Sequence, residues 1–116
     1  MALHHELSIY KQAYELLSLA TDITRNIPRD LKALLGTAVR DECVLLLKLI
    51  ARANAAKEKA PHLDQLIESN DTLAFLLRVL KDKRFISVDQ HAKAMLLTVS
   101  VGKQANGWRK SCRSLA

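Results

Sequence analysis

Basic residues are the side chains whose number and spacing point most clearly to a binding function. One group lies close together in the second half of the chain: Arg78, Lys81, Lys83 and Arg84. A second group, Lys48, Arg52 and Lys59, is spaced by four and seven residues, which would place its members on one helix face. Clusters of this kind suit contacts to phosphates, because such contacts need charge and reach but no base reading.

Arg78 is the most informative of these residues, because it stands inside the apolar segment Phe75-Leu76-Leu77-Arg78-Val79-Leu80. A charge in that position either lays its aliphatic stem along the surface or faces a partner. The alternative for the whole group is a solvated surface with acidic neighbours. Beyond Asp71, however, this stretch offers only Asp82 as a local acid. No aromatic residues alternate with the basic ones, so the pattern does not support base stacking on single strands.

Residues suited to metal binding or nucleophilic catalysis are few and scattered. His4 and His5 are adjacent, and the two remaining histidines, His62 and His91, have no partner in a recognised ligand pattern. The three glycines are isolated and form no phosphate-binding loop. Cys43 stands in an apolar run, which is typical of a buried small side chain. The sequence therefore predicts no metal, no cofactor and no catalytic residue.

One catalytic alternative rests on Arg84 and His91, which are separated by six residues. This spacing resembles that of the helical HEPN ribonucleases, where an arginine and a histidine act on the scissile phosphate. Phe85 departs from that family, which has a polar residue after the arginine. Ser87, interpreted below as the start of a helix, would also lie between the two side chains. A ribonuclease is therefore the least favoured hypothesis.

Composition favours a few long helices in one domain spanning residues 1–116. Hydrophobic residues make up 49% of the chain and aromatic residues 4%, and most of the apolar content is Leu and Ala, which are strong helix formers. The net charge is +6, and residues 25–59 hold eight basic and four acidic side chains. This basic balance suggests an anionic partner, most often nucleic acid. Two distant cysteines and the lack of a long apolar run predict a cytoplasmic protein without a membrane span.

Pro28 and Pro61 divide the first two-thirds of the chain into helical segments. The first helix is predicted over Glu6 to Asn26, with two adjacent apolar rows. One row is Ile9, Ala13, Leu16, Ala20, Ile23 and Ile27, and the other is Leu7, Tyr10, Tyr14 and Leu17. The second helix follows Pro28 and is predicted to run from Leu31 to Lys59. Its core side is predicted to carry Leu35, Val39, Leu46, Leu49, Ile50 and Ala53.

Two further helices complete the prediction. The third begins at Pro61 and ends near Asp82, with Leu63, Leu66, Ile67, Leu73, Leu77 and Leu80 at helical spacing. Ser87 and Gln90 form a capping box that starts the fourth. Its inward row is predicted to be Val88, Ala92, Met95, Val99 and Gly102. Asn106-Gly107 is interpreted as its end, followed by a basic tail. Short connections predict an all-α, antiparallel up-down-up-down four-helix bundle.

Four short segments in this order resemble the accessory variability determinant of diversity-generating retroelements. The chain is also similar to a relative of that family, the four-helix protein encoded by intervening sequences in bacterial large-subunit rRNA genes. The resemblance extends from about Tyr10 to Lys110. It is carried by Asp22-Ile23-Thr24-Arg25-Asn26-Ile27-Pro28-Arg29, Leu49-Ile50-Ala51-Arg52-Ala53-Asn54-Ala55-Ala56-Lys57, Leu76-Leu77-Arg78-Val79-Leu80 and Gly107-Trp108.

The resemblance implies a non-enzymatic four-helix bundle that assembles into a five-membered ring with a basic surface and pore. Members from retroelements bind nucleic acid, RNA or DNA, and the element's reverse transcriptase. They support error-prone copying of a template RNA into cDNA. Arg78 matches a basic position of the family's third helix, whereas the part of the chain after Trp108 is short. An rRNA-type RNA-binding protein without a reverse transcriptase partner is the alternative.

Overall fold

A computed structural model describes residue 3 and residues 6–114, with the side chains of 113 and 114 excepted. All regular secondary structure in this part of the chain is helical, as the sequence predicts. The first helix, α1, spans Ser8–Ile23. The second, α2, is continuous but changes geometry: Arg29–Leu31 is α-helical, Lys32–Gly36 is π-helical and Thr37–Ala55 is α-helical. The helices α3 and α4 span Ala60–Asp82 and Val88–Ser114.

The four helices form an elongated bundle with extents of 47 × 21 × 20 Å. Helix α1 packs on α2 and α4, and α3 packs on the same two helices. Side-chain hydrogen bonds join neighbouring helices: Gln104 on α4 donates to Gln12 on α1, and Ser69 on α3 donates to Glu42 on α2. In this arrangement, the side formed by α1 and α2 lies opposite the side formed by α3 and α4.

The predicted core rows of the first three helices are confirmed in nearly every position. The first row of α1 is fully buried, and Ile27 is buried in the turn after it. Val39, Leu46, Leu49, Ile50 and Ala53 of α2 are buried, while Leu35 is half-buried. The five leucines predicted for the core row of α3 are buried, and Ile67 is half-buried. Each fully buried leucine contributes about 1.5–3 kcal/mol, so these rows account for most of the driving force for folding.

Two predicted helix ends are wrong for an identifiable reason. Helix α1 ends at Ile23 rather than Asn26, and the buried Thr24 donates its hydroxyl to the Ala20 carbonyl at 2.6 Å. Helix α2 ends at Ala55 rather than Lys59, because Ala56 has extended backbone angles. The Lys59 side chain turns back over this end. Apolar periodicity did not reveal either stop, because both depend on polar groups that bond the last turn.

The fourth helix departs most from the prediction. Its buried row is Ala94, Thr98, Val101 and Ala105, whereas the predicted row is exposed at Val88, Ala92 and Val99. Apolar residues occupy both sides of α4, so the helical period alone could not identify the inward side. A polar contact marks that side: Asn70 on α3 donates to the Thr98 carbonyl at 2.9 Å. Asn70 approaches so closely that a Cβ at Gly102 would lie 3.2 Å from its Nδ2.

Helix α4 also continues through Asn106-Gly107 to Ser114, so the predicted end and basic tail are wrong. Trp108 packs against the core, and Arg109 binds Asp64 on α3 at 2.8 Å. These contacts hold the last turns on the bundle and outweigh the low helix propensity of the Asn-Gly pair. At the other end, the predicted capping box is confirmed. Ser87 N–H donates to Gln90 Oε1 at 2.8 Å, and Gln90 N–H donates to Ser87 Oγ at 3.0 Å.

Candidate nucleic-acid interface

The end of α3 closes in a tight turn that presents basic side chains to solvent. The N–H of Phe85 donates to the Leu80 carbonyl at 2.9 Å, and the N–H of Arg84 donates to the Lys81 carbonyl at 3.0 Å. This pair of bonds is the Schellman motif, which satisfies the last carbonyls of a helix through the backbone alone. Since the backbone closes the helix, the nearby cationic side chains are not needed for capping.

Arg84 occupies the position in this turn where a glycine is usually found. Its φ is +62°, and it is the only non-glycine residue with positive φ in the part of the chain that the structure describes. A side chain in this left-handed region costs about 1–2 kcal/mol, because Cβ approaches the following carbonyl oxygen. The fold itself would therefore be served better by glycine. An exposed arginine in a strained position points to a role for its side chain.

Three more basic residues lie within the last two turns before Arg84. Arg78 and Lys83 are exposed, and Lys81 is half-buried. Arg78 and Asp82 form an ion pair at 3.5 Å, in which both side chains stay more than half exposed. Such a pair is worth about 0–1 kcal/mol and leaves the guanidinium accessible. We refer to Arg78, Lys81, Lys83 and Arg84 as the α3-end surface.

Arg78 also lines a groove of about 460 Å³ between α3 and α4, together with Asp71, Ala74, Phe75, His91 and Met95. Phe75 beside it is 75% exposed. The apolar neighbours of Arg78 in the sequence therefore separate in the structure: Leu77 and Leu80 enter the core, whereas Phe75 stays at the surface. Arg78 is consequently a surface group at the edge of an apolar groove.

His91 lies in the same groove, where its surroundings favour the neutral imidazole. Partial desolvation lowers its pKa, and the positive charges of Lys81 and Arg78 lower it further, while Asp82 acts in the opposite direction. Among the described residues, its Nε2 has no hydrogen-bond partner although it is buried. The basic groups that act on His91 thus belong to the α3-end surface. The capping box of Ser87 and Gln90 lies between Arg84 and His91 along the chain.

The second predicted group is divided by the end of α2. Lys48 and Arg52 are exposed one turn apart on α2. Lys59 lies beyond the helix, so the single helix face predicted for all three residues is wrong. Its ammonium donates to the carbonyls of Ala53, Asn54 and Ala56 at 2.9, 3.0 and 2.9 Å. Lys59 is therefore engaged in capping α2, and only Lys48 and Arg52 present their charges together.

Sequence reasoning did not single out the connection between α1 and α2. Arg25 and Arg29 are exposed there, and Lys32 donates to the Arg25 carbonyl at 3.3 Å. Arg25 also pairs with Asp22 at 3.4 Å. The basic excess of residues 25–59 was a usable signal for these side chains. It did not identify them, because they follow no helical spacing.

Groups with metal-binding or nucleophilic chemistry remain dispersed. Among the described residues, no three His, Cys, Asp or Glu side chains are grouped as a metal site would require. His4 and His5 lie outside the described residues. Cys43 is buried, as predicted, and desolvation by burial together with the nearby Glu42 raises its pKa to about 12. Its thiol is therefore a packing group. In the same part of the chain, no helix is long and apolar enough to cross a membrane.

Comparison with known families agrees with the resemblance carried by the four segments. The profile of the bAvd-like family matches residues 7–112, which include all the basic residues discussed above. A comparison with curated proteins finds no match. The family match covers nearly the whole chain and confirms the resemblance to accessory variability determinants. The chain therefore belongs to the bAvd-like family.

Proposed function

We propose that this protein is a non-enzymatic, cytoplasmic accessory subunit that binds nucleic acid through phosphate contacts at the α3-end surface. Membership of the bAvd-like family supports a role as a retroelement accessory protein. The observation that carries the binding site is Arg84, an exposed arginine kept at a position where the fold favours glycine. Arg78, Lys81 and Lys83 lie beside it, and Asp82 is the one acid within this segment.

A phosphate-binding role makes a quantitative prediction about salt. Each lost phosphate contact reduces the slope of log affinity against log salt by about 0.7–0.9. The double variant Lys83→Ala with Arg84→Ala should therefore bind a labelled single-stranded RNA or a DNA duplex more weakly, with a shallower slope. The matched control is Lys57→Ala with Lys103→Ala, which removes two charges from exposed positions elsewhere. Equal losses in both double variants would show general attraction to net charge and overturn the site.

We further propose that the protein works with a reverse transcriptase in mutagenic copying of template RNA into cDNA. Support comes from the family, whose retroelement members act with such an enzyme. The test is co-purification with a reverse transcriptase encoded beside this gene, with the α3-end double variant as a comparison. Failure to co-purify, or the absence of such a gene, would favour the rRNA-type function instead. RNA cleavage that disappears in His91→Ala would contradict the non-enzymatic proposal and favour the ribonuclease alternative.

Assembly into a ring, most simply a pentamer, is part of the same proposal. It is supported by the family and by apolar side chains that remain exposed on the single bundle. The up-down-up-down order is supported by two contacts between α3 and α4. Asp64 near the start of α3 meets Arg109 near the end of α4, and Asn70 and Thr98 meet near the middle of the two helices. Light scattering should find an oligomer at micromolar concentration, and a monomer at that concentration would contradict the ring.

A further inference from the structure

The groove between α3 and α4 adjoins the α3-end surface, because Arg78 belongs to both. We refer to it as the α3–α4 groove. Its volume of about 460 Å³ lies within the range of about 300–1,000 Å³ that is typical of small-ligand sites. A ligand whose phosphate is bound at the α3-end surface can therefore extend into a cavity large enough for one of its other groups.

Phe75 gives this groove a flat aromatic wall. Its ring is 75% exposed, so it contributes little to the core. Ala74 beside it offers only a methyl group, and Met95 supplies an apolar side chain from α4. His91, whose lowered pKa favours the neutral imidazole, adds a second ring on the α4 side. An exposed aromatic ring beside a cationic side chain is the arrangement on which proteins stack unpaired bases, and a pocket for one base needs no alternating series of rings.

Asp71 supplies the one carboxylate among the described residues that line the groove. It is exposed on α3, one turn before Phe75. Among the residues that the structure describes, it has no ion-pair or hydrogen-bond partner. A carboxylate repels the phosphates of a nucleic-acid backbone, because like charges repel. Asp71 therefore selects for a ligand group that donates hydrogen bonds at this end of the groove.

The order of Asp71, Phe75 and Arg78 along α3 matches the order of the groups in a nucleotide. The three residues are separated by four and three positions, so they share one helix face. Seven residues of helix rise by about 10 Å, which is close to the reach of a nucleotide from its phosphate to the far edge of its base. With a phosphate at Arg78, the base would lie against Phe75 and turn its Watson–Crick edge to Asp71.

The carboxylate of Asp71 also distinguishes among the bases. The Watson–Crick edge of guanine presents two adjacent donors, N1–H and the N2 amino group, and the two carboxylate oxygens can accept both hydrogen bonds. Adenine and cytosine have an acceptor nitrogen beside their amino group, and the N3–H of uracil lies between two carbonyl oxygens. Each of these would bring an acceptor against the carboxylate.

From these observations, we propose that the α3–α4 groove binds one unpaired guanine of a nucleic-acid strand whose phosphate is held at the α3-end surface. The inference rests on the nucleic-acid binding proposed above and adds recognition of a base to it. Phe75 stacks on the guanine, Asp71 accepts hydrogen bonds from its edge, and Arg78 holds the phosphate. Because this edge of guanine is already paired in a duplex, the groove selects single strands.

The experiment measures binding of the full chain to short labelled oligouridylates that differ at one central nucleotide. The oligomer with guanosine should bind about fivefold or more tightly than plain oligouridylate, as expected for one bidentate base contact. Inosine lacks the N2 amino group and should lose most of this preference. Adenosine should show none of it, because its edge places an acceptor against Asp71.

Asp71→Asn gives the sharpest test, because it should affect the two kinds of oligomer differently. An amide has only one acceptor oxygen, so the preference for guanosine should disappear. Removal of the negative charge should leave the affinity for plain oligouridylate unchanged or higher. Glu68→Gln is the matched control, since Glu68 is exposed on the same helix but lines a different cavity, between α2 and α3. It should keep the preference for guanosine.

Phe75→Ala removes the stacking ring and should weaken binding of the guanosine oligomer about fivefold or more. The matched control is Leu96→Ala, because Leu96 is 74% exposed and does not line the groove. It should bind this oligomer like the parent protein. Equal losses in the two variants would show a general effect of exposed apolar side chains and contradict the stacking role of Phe75.

The outcomes separate this inference from the proposed function. Equal affinity of the parent protein for all the oligomers would overturn the guanine site and leave the phosphate site intact, whereas no binding of any oligomer would overturn both. The double variant of the α3-end surface should weaken binding of all the oligomers by the same factor. If Asp71→Asn and Phe75→Ala keep the preference for guanosine but no longer co-purify with the reverse transcriptase, the groove holds a protein segment and the inference is wrong.

Discussion

The ends of α2 and α3 show two different uses of basic residues. At the end of α2, the Lys59 ammonium donates hydrogen bonds to three carbonyls, so this charged group is engaged within the protein. At the end of α3, the backbone closes the helix through Phe85 and Arg84, and four basic side chains are left for other contacts. The comparison teaches that a helix-terminal lysine or arginine becomes available to a partner only when the helix has another cap.

The largest effect on stability is expected at the end of α2. Lys59→Ala removes three charge-assisted hydrogen bonds to the last carbonyls, which should lower the free energy of unfolding by about 1–2 kcal/mol. Nucleic-acid affinity should change no more than in Lys57→Ala, an exposed neighbour in the same connection. Urea denaturation and a binding titration measure the two quantities. A Lys59→Ala variant that keeps its stability but binds nucleic acid poorly would contradict this assignment. It would show that Lys59 belongs to the binding site and does not cap α2.

Arg84→Gly should act in the opposite direction. Glycine removes the left-handed strain but gains entropy in the unfolded chain, so we expect a net stabilisation of about 0.5–1 kcal/mol. Binding of RNA should nevertheless weaken, because the side chain is lost. Thermal unfolding and fluorescence anisotropy on Arg84→Gly and Arg84→Ala separate the two effects. If glycine stabilised the fold and binding were unaffected, Arg84 would have no role in the interface.

A smaller change in stability is expected for Arg78→Ala. Its ion pair with Asp82 is exposed, so the free energy of unfolding should change by less than about 1 kcal/mol. Binding should fall, and in a ring the loss would be multiplied over all subunits. Arg78→Lys tests the kind of contact: rescue indicates that charge suffices, and failure indicates a planar, bidentate contact. An unfolded Arg78→Ala protein would show that Arg78 is structural.

The smallest effect concerns the pH dependence of His91. Its pKa is lowered in the folded protein, so folding favours the neutral imidazole. The associated stability is fully present above the unfolded value near 6.5 and is lost as the pH falls through the lower folded value. His91→Gln should therefore make stability less sensitive to pH as the pH falls below about 6.5. His62→Gln is the control, and an equal effect of both variants would contradict the assignment to His91.

Local chemistry in the sequence predicted much of this molecule. The rows of α1, α2 and α3 followed from spacing, since each helix has one continuous apolar side. The capping box of Ser87 and Gln90 followed from two residues at a fixed interval. The cluster from Arg78 to Arg84 was visible because its members are neighbours in the chain. In each case, the determining interactions join residues within a few positions of one another.

Tertiary contacts decided the rest. Helix α4 has apolar residues on two sides, and only the bond from Asn70 to the Thr98 carbonyl and the burial of Val101 identify the inward one. The same helix passes Asn106-Gly107, because Trp108 and Arg109 bind the rest of the bundle. Whether a basic side chain is free also depends on the fold: Lys59 folds back onto α2, while Arg84 is held outward by its turn. The spacing of basic residues along the chain cannot show which of them are free. That depends on where each helix ends and on which of its last carbonyls then need a side-chain partner.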